Sequence, residues 1–504
     1  MTQKKGRTPA GESCWRIFLE NRAAEKLIFE KSVKGRKAYG LPPLDVPQTE
    51  VESLFPSSLL RKEPPGLPEV SELDMVRHYV KLSQKNFSID SGFYPLGSCT
   101  MKYNPKINDE MARLPGMSAL HPLQPVETVQ GALHLLYALE ELLKEILGVD
   151  RVSLQPVAGA QGEMVGLMMI RAYLQSKGEN RHRVLIPDSA HGTNPASAML
   201  AGFEVEEIKS NSQGLIDLDD LKKHLDRDCA ALMLTNPNTL GLFEKEILKV
   251  SEAVHQAGGL MYMDGANLNA LLGVARPGDM GFDVVHSNLH KTFSTPHGGG
   301  GPGAGAIGVK AFLAPFLPRP TVEKKGNTVF LDDDRPRSIG RVSTFYGNFG
   351  NLVRAYVYIR SNGDEGLANV SKMAILNANY VRKKLDKTYK VAQDRPSMHE
   401  VVFTAKKFKS KEVHARDICK RLMDYGFHPP TVYFPLIVEE ALMVEPTETE
   451  SKETLDLFCD AMISIAKEID TDPNLLLNAP FTTPVGRLDE TEAVKKLNVR
   501  WKKE

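Results

Sequence analysis

The chain has 504 residues, and its 63 Lys plus Arg balance its 63 Asp plus Glu, so the formal net charge is zero. This balance excludes a field built to attract nucleic acid or an anionic membrane, and it favours a small-molecule or protein partner. The length predicts roughly two to four domains, with room for a large core.

The absence of targeting signals and the pattern of cysteines favour a soluble cytoplasmic protein. We find no apolar run of about 20 residues that could span a bilayer. The first thirty residues also lack the apolar segment of a secretory signal. The cysteines are odd in number, widely spread and free of CxxC pairing, so we expect free thiols and no metal site. They are Cys14, Cys99, Cys229, Cys419 and Cys459.

Residues 1–75 are predicted to form an extended arm with short helices, because seven prolines fall between positions 42 and 68. Such an arm needs another surface to lie on. The pattern then becomes helical up to residue 147, interrupted by the loop 92–105, which is dense in Gly, Pro and hydroxyl side chains.

Between residues 151 and 310, short apolar runs alternate with helix-length segments. This alternation predicts a mostly parallel, seven-stranded sheet covered on both faces. The predicted strands are 151–154, 183–186, 204–208, 230–234, 259–263, 283–286 and 306–309. We therefore expect an α/β fold, with a large domain at 76–380 and a smaller C-terminal α+β domain at 381–504. The smaller domain is predicted to contain strands at 400–404 and 438–444.

Candidate chemical groups follow the predicted strands, where parallel sheets bind their ligands. Lys291 lies between the sixth strand and the glycine run 298–301, as expected of a lysine that forms a Schiff base with pyridoxal phosphate (PLP). Asp264 ends the fifth strand and is predicted to hold the cofactor's ring nitrogen protonated. For each residue alone, the alternative interpretation is a surface lysine at a strand end for Lys291 and a helix N-cap for Asp264.

Other groups at this edge are predicted to complete the site. Residues 158–162, with Ala160 and Gln161, open a helix whose free N–H groups form a phosphate cradle, or else a tight turn. His191 is placed to lie over the cofactor ring, although an isolated histidine is more often structural. Asn238 follows the fourth strand, and Thr292 is a candidate phosphate or carboxylate donor.

One glycine motif is a decoy. Residues 303–308 match GxGxxG, but they precede a strand instead of opening a helix after one, so they fail the context test for dinucleotide binding. Walker A, HExxH and acidic calcium-loop motifs are absent from the sequence.

The sequence from about residue 27 to residue 493 resembles the glycine decarboxylases, the P-proteins of the glycine cleavage system, and in particular the second subunit of their bacterial two-subunit form. The resemblance is specific because it rests on several long and unusual segments. They are residues 27–32, 41–45, 94–105, 154–163, 190–198, 235–239, 290–293 and 443–448.

This resemblance implies a fold-type I PLP enzyme with Lys291 as the Schiff-base lysine, Asp264 as the ring-nitrogen partner and His191 as the stacking residue. Ala160, Gln161, Ala266, Asn238 and Thr292 are the implied neighbours of the cofactor. The implied reaction decarboxylates glycine and passes the aminomethyl group to the lipoyl arm of H-protein. The implied assembly is an α2β2 heterotetramer with P-protein subunit 1.

The loop 97–102 is our candidate for a channel wall, in which Ser98, Cys99 and Thr100 offer polar contacts to substrate; the alternative is a structural loop at a subunit interface. Two other readings of the whole chain stay open. One is another fold-type I enzyme, such as an amino-acid decarboxylase, an aldolase or a cysteine desulfurase that uses Cys99. The other is a non-catalytic scaffold subunit without cofactor.

Overall fold

The computed structural model describes residues 25–63, 65–298 and 302–500. Residues 1–24, which include Cys14, and residues 299–301 of the predicted glycine run lie outside the described residues. The chain forms two compact units, one of Met1–Ser91 with Asn478–Glu504 and one of Gly92–Leu477. The domain boundaries at residues 75 and 380 stay predictions.

The first unit consists of short helices joined by irregular segments. Within its described residues, the α-helices are Val51–Leu54, Glu72–Ser83 and Glu490–Lys495, and the 3₁₀ helices are Ile28–Lys31 and Ser57–Leu59. Ser71 caps the longest of them, because its hydroxyl accepts a hydrogen bond from the Asp74 N–H at 3.1 Å. Many of its large apolar side chains are exposed, with Leu41 at 90%.

The second unit is built around the predicted seven-stranded sheet. Its strands are β1 (Arg151–Ser153), β2 (Arg183–Pro187), β3 (Glu204–Ile208), β4 (Cys229–Leu234), β5 (Leu260–Gly265), β6 (Val284–Asn288) and β7 (Gly305–Val309). The strand order is β1-β7-β6-β5-β4-β2-β3, and β7 alone runs antiparallel to its neighbours. Strands β4 to β7 are buried along their whole length, which explains their uninterrupted apolar sequence. The predicted mostly parallel sheet is confirmed.

Helices follow most strands of this sheet. In chain order the second unit begins with α1 (Lys106–Ala112), α2 (Pro115–Ser118), α3 (Gln130–Leu147), α4 (Gly159–Ser176), α5 (Thr193–Leu200), α6 (Leu218–His224) and α7 (Ile247–Gln256). Helix α4 lies close against the sheet because Gly166 has no side chain; a Cβ there would come within 2.4 Å of the Tyr262 ring. This contact fixes the start of α4 beside the ends of β5 and β6.

A smaller antiparallel sheet follows, in the region where the sequence predicted strands at 400–404 and 438–444. After a hairpin of β8 (Thr321–Lys325) and β9 (Thr328–Asp332), its strands are β10 (Lys390–Val391), β11 (Val401–Thr404), β12 (Thr431–Val432) and β13 (Ala441–Val444), in the order β10-β11-β13-β12. Its helices are α8 (Phe349–Leu385, interrupted at Gly363), α9 (Ala415–Asp424), α10 (Lys452–Thr471) and α11 (Asn474–Leu477). In the described ranges, every helix is too short or too polar to cross a bilayer.

Candidate active site

One cavity lies beyond the carboxyl ends of the central strands, where the sequence predicted a site. Seven predicted residues line it: Lys291, Asp264, His191, Ala160, Ala266, Asn238 and Ser98. The predicted residues Gln161, Thr292, Cys99 and Thr100 are not part of the cavity lining. The strand ends therefore converge on one pocket, and the roles of the individual residues stay predictions.

Lys291 follows β6 and reaches across the cavity to the loop 97–102. Its Nζ donates a hydrogen bond to the Ser98 carbonyl oxygen at 2.8 Å. The side chain is half-buried. Its one described hydrogen bond therefore goes to a neutral carbonyl, and the amine faces the cavity.

Asp264 lies near the end of β5 and is held by two hydrogen-bond donors and by a charge contact with His286. Asn194 Nδ2 donates to Oδ2 at 2.8 Å, the Ala266 N–H donates to Oδ1 at 3.0 Å, and His286 Nε2 lies 3.2 Å from Oδ1. Burial by itself raises the pKa of this carboxyl, but His286, these donors and the more distant Lys291 together hold the pKa of Asp264 below its usual value. Asp264 is therefore a buried carboxylate that stays ionised.

Behind Asp264, His286 extends the network into the core. Its Nδ1 lies 3.1 Å from the Tyr262 hydroxyl, which in turn donates to the Gly162 carbonyl at 3.1 Å. Both side chains are fully buried on adjacent strands. This arrangement fixes the position of the carboxylate from the side opposite the cavity.

Glu163, which the sequence analysis missed, is a second buried acid beside Asp264. Its carboxylate accepts hydrogen bonds from Thr193 Oγ1 at 2.8 Å, Ser197 Oγ at 3.0 Å and Asn194 Nδ2 at 3.1 Å. Asn194 thus bridges Glu163 and Asp264, and the three donors fix α5 to α4. The signal was a glutamate directly after the glycine-containing turn 159–162.

The start of α4 lies at the cavity, where the sequence predicted an anion cradle. A Cβ at Gly159 would come within 2.5 Å of Asn288 Nδ2, so the close approach of backbone and side chain requires glycine. Gln161 braces the turn, because its Oε1 accepts from the Val157 N–H at 2.8 Å and its Nε2 donates to the Val342 carbonyl at 2.6 Å. The side chain of Gln161 is thereby occupied, and its proposed cofactor contact falls to its backbone.

Two other predicted residues also use their side chains within the protein. Asn238 donates to the Gly214 carbonyl at 2.7 Å and accepts from the Leu240 N–H at 3.0 Å. Thr292 is fully buried and accepts the Leu268 N–H at 2.8 Å. Both side chains hold the loops of the site in place.

His191 lies at the cavity, on the segment between β2 and α5. Its Nδ1 lies 2.9 Å from Thr193 Oγ1, and its ring packs edge-on to Phe434 with centroids 5.6 Å apart. These contacts orient the imidazole from two sides. The stacking role remains a prediction.

The loop 97–102 passes between Lys291 and the smaller sheet in an unusual backbone conformation. Ser98 and Thr100 have φ values of 64° and 51°, which are uncommon for residues other than glycine and rarer still for a β-branched one. Their N–H groups donate to two buried carboxylates, Ser98 to Glu400 at 2.8 Å and Thr100 to Glu445 at 3.0 Å. Burial raises the pKa of the Cys99 thiol between them. These two hydrogen bonds compensate for the backbone strain.

Glu400, Glu445 and His399 were all missed by the sequence analysis. Glu400 and His399 line the cavity, and Glu445 immediately follows β13. Burial and the neighbouring Glu445 raise the pKa of Glu400 well above its usual value. Burial lowers the pKa of His399, so this imidazole is neutral. The signal available was a carboxylate flanking each of two predicted apolar strands.

A second buried lysine closes the same loop. Lys102 Nζ donates to Glu448 at 2.8 Å, Asn269 at 3.0 Å and the Tyr358 hydroxyl at 3.1 Å. Burial opposes the charge, but Glu448 and Tyr358 outweigh it and raise the pKa of Lys102. This network joins the end of the loop to α8 and to the segment after β13.

The residues present fit pyridoxal phosphate. The donor set combines an amine at Lys291, a carboxylate at Asp264 and an anion cradle at Gly159, which match the aldehyde, ring nitrogen and phosphate of that cofactor. In the described ranges, three buried polar atoms of the cavity residues, Thr235 Oγ1, Asn288 Oδ1 and His399 Nδ1, have no protein partner. Unmet polar atoms of this kind are typical of a ligand site.

Sequence comparison places the chain among known proteins. The family model described as glycine cleavage system P-protein matches residues 45–323, and that described as glycine dehydrogenase, C-terminal domain, matches residues 370–477. A probable glycine dehydrogenase (decarboxylating) subunit 2 from Caldanaerobacter subterraneus is 61% identical over 95% of this chain and 99% of its own length. The protein of the same name from Bacillus licheniformis is 60% identical over 96% of this chain and all of its own length.

Structural comparison gives the fold. A crystal structure of glycine decarboxylase (P-protein), in inhibitor-bound form, matches with a TM-score of 0.70 and 20% identity, over 82% of this chain and 94% of its own. A cysteine desulfurase from Escherichia coli matches with a TM-score of 0.58 and 16% identity, over 75% and 95% of the two chains. These likenesses confirm the predicted fold type I of PLP enzymes. Since a family model covers more than half of the chain and close relatives span nearly all of it, the chain belongs to the glycine cleavage system P-protein family.

Proposed function

We propose that this protein uses pyridoxal phosphate to decarboxylate glycine and passes the remaining aminomethyl group to the lipoyl disulfide of H-protein. The observation that carries the proposal is the convergence of the Lys291 amine, the ionised Asp264 carboxylate and the Gly159 cradle on one cavity. The relatives named glycine dehydrogenase (decarboxylating) subunit 2 support the same reaction.

The side chains divide the work. Lys291 Nζ would hold the cofactor covalently, the N–H groups at the start of α4 would bind its phosphate, and Asp264 would keep a proton on its ring nitrogen. Bound pyridoxal phosphate supplies an electron sink for the electron pair left behind when CO2 departs. Loop 97–102 excludes water from the Lys291 side of the cavity, held there by the buried acids Glu400 and Glu445.

We also propose that the protein works in the cytoplasm with a partner subunit in an α2β2 assembly. The relatives' designation as subunit 2 supports a subunit 1. Cys99, Cys229, Cys419 and Cys459 are free thiols, which supports a reducing compartment.

Cysteine desulfurase activity is less well supported as a function, although a cysteine desulfurase has a similar fold. A desulfurase needs a reactive thiolate, whereas burial raises the pKa of the Cys99 thiol. Turnover retained in C99A would exclude this alternative.

Absorbance spectra of the purified chain, alone and with subunit 1, test the proposal. We expect a visible band of lysine-bound cofactor that borohydride reduction traps on the peptide containing Lys291. Addition of carboxyl-labelled glycine and lipoyl H-protein should then release labelled CO2. A chain that binds no cofactor in either sample would contradict the proposal and favour a scaffold subunit.

A further inference from the structure

We propose that Glu400 is the proton donor of the active site, paired with Glu445 so that two carboxyl groups share one proton. The inference rests on the proposed function for the identity of the group that receives the proton. It concerns three buried residues, His399, Glu400 and Glu445.

His399, Glu400 and Glu445 lie close together. One side-chain atom from each of His399, Glu400 and Glu445 lies within 4.8 Å of those of the other two. All three residues are buried, with Glu445 completely inaccessible and the other two 3% exposed. Two carboxylates this close in a low-dielectric site cannot both be ionised, so one proton is retained between them.

The hydrogen bonds of the two carboxyl groups indicate which of them holds that proton. Glu445 accepts two hydrogen bonds, from Asn267 Nδ2 at 2.9 Å and from the Thr100 N–H at 3.0 Å, which favour its ionised form. Glu400 accepts one in the described structure, from the Ser98 N–H to Oε2, while Oε1 lies 3.9 Å from His399 Nε2. The proton therefore resides on Glu400, the member of the pair that lines the cavity.

The charges around Glu400 also favour its neutral form. The titratable groups that face it are Glu445 after β13, Lys291 after β6, Cys99 in the loop and the neutral His399 beside it. Lys291 and the ionised Glu445 offset each other, so a neutral Glu400 leaves the group of side chains without net charge. Ser98 links the two ends, because its N–H donates to Glu400 and its carbonyl accepts from Lys291.

The proposed transfer consumes one proton. The glycine carbon that has lost CO2 forms a C–S bond with one sulfur of the lipoyl disulfide, and the S–S bond breaks with its electron pair going to the second sulfur. Glu400 gives that sulfur its proton, so the disulfide is reduced, the carbon is oxidised and Glu400 is left as a carboxylate. Solvent reprotonates Glu400 once the product has left.

Infrared spectroscopy tests where the proton is, without relying on turnover. The control is Glu140 in α3, which does not line the cavity and whose pKa burial also raises well above its usual value. At neutral pH the wild type minus E400Q difference spectrum of the chain, before and after cofactor loading, should contain the carbonyl band of a protonated carboxyl group. In E445Q that band should disappear at lower pH than in wild type, because the repulsion that keeps Glu400 protonated is gone.

Thiol formation from glycine and lipoyl H-protein tests the transfer, using the loaded chain with its partner subunit. E400Q should slow it by about 10²–10⁴-fold, the usual contribution of a general acid, while E140Q matches wild type. Since only the protonated form donates, the wild-type rate should fall as pH rises through the Glu400 pKa, and E445Q should move that fall to lower pH.

A wild-type rate in E400Q, or an infrared difference without the carboxyl band, would overturn the inference and leave Lys291 or water as the donor. Failure of the proposed function is a different result, because the wild-type chain itself would then form no thiol from glycine.

Discussion

Lys102 ends the loop 97–102 and Lys291 bonds to it from across the cavity, and the surroundings of these two lysines differ sharply. Lys102 has an acceptor for each of its three N–H bonds, one of them the carboxylate of Glu448 at 2.8 Å. Lys291 donates to a single carbonyl oxygen, and in the described ranges no carboxylate lies within ion-pair distance of it. A fully matched buried lysine stabilises the fold, whereas a lysine with unmet hydrogen-bonding capacity is available for chemistry.

The largest expected effect comes from K291A, which should abolish both borohydride trapping of the cofactor and release of CO2 from glycine. The fold should survive, because the substitution removes a single hydrogen bond to Ser98. Peptide mapping after reduction and a thermal unfolding curve check both expectations. Trapped cofactor on another lysine of K291A would break the comparison.

K102M should do the reverse and act on stability. It leaves the Glu448 carboxylate buried without its cation, which costs about 3–5 kcal/mol. Urea unfolding measures the loss, and the double variant K102M/E448Q should recover part of it. An unchanged unfolding midpoint in K102M would show that Lys102 is not the structural lysine we infer.

D264N should lower the rate of CO2 release about 100-fold while the cofactor remains bound, a loss typical of removing one electrostatic contact. Asparagine keeps the hydrogen bonds to Asn194 and Ala266 only in part and cannot hold the proton on the ring nitrogen. Because the pKa of Asp264 is lowered, its contribution in the wild type should persist as pH falls through about 3.9, the ordinary Asp value. Rates measured against pH in both proteins decide this.

The smallest effect is expected from Y358F. The hydroxyl contacts Lys102 at 3.1 Å and Glu448 at 3.2 Å, so its loss should cost about 1 kcal/mol of stability. CO2 release should be unchanged, which a steady-state assay checks. A change in rate without a change in stability would place Tyr358 in the chemistry instead.

The strands and the main site residues could be predicted because both depend on local pattern. Burial on both faces forces continuous apolar runs, and β3 begins and ends where the sequence predicted. The carboxyl ends of parallel strands share one edge, which brings Asp264 and Lys291 together without any further information.

The opposite wall could not be predicted, because it depends on packing between distant segments. Glu400 and Glu445 flank β11 and β13, but pattern alone does not indicate that these strand ends meet the loop 97–102. For the same reason, the sequence did not indicate that the side chains of Gln161 and Thr292, which stay predicted ligand contacts, also form hydrogen bonds to Val342 and Leu268 within the protein. Turn-bracing and ligand-binding roles use the same polar side chains.

The hydrogen bonds of the loop 97–102 have a consequence for biosynthesis. Thr100 bonds to a residue 345 positions later in the chain, and Ser98 to one 302 positions later. At about 5–20 residues per second, roughly 17–70 s pass between translation of Thr100 and of Glu445. Until Glu400 is translated, the loop has neither of the acceptors that compensate for its backbone strain, so the cavity wall is completed only near the end of synthesis.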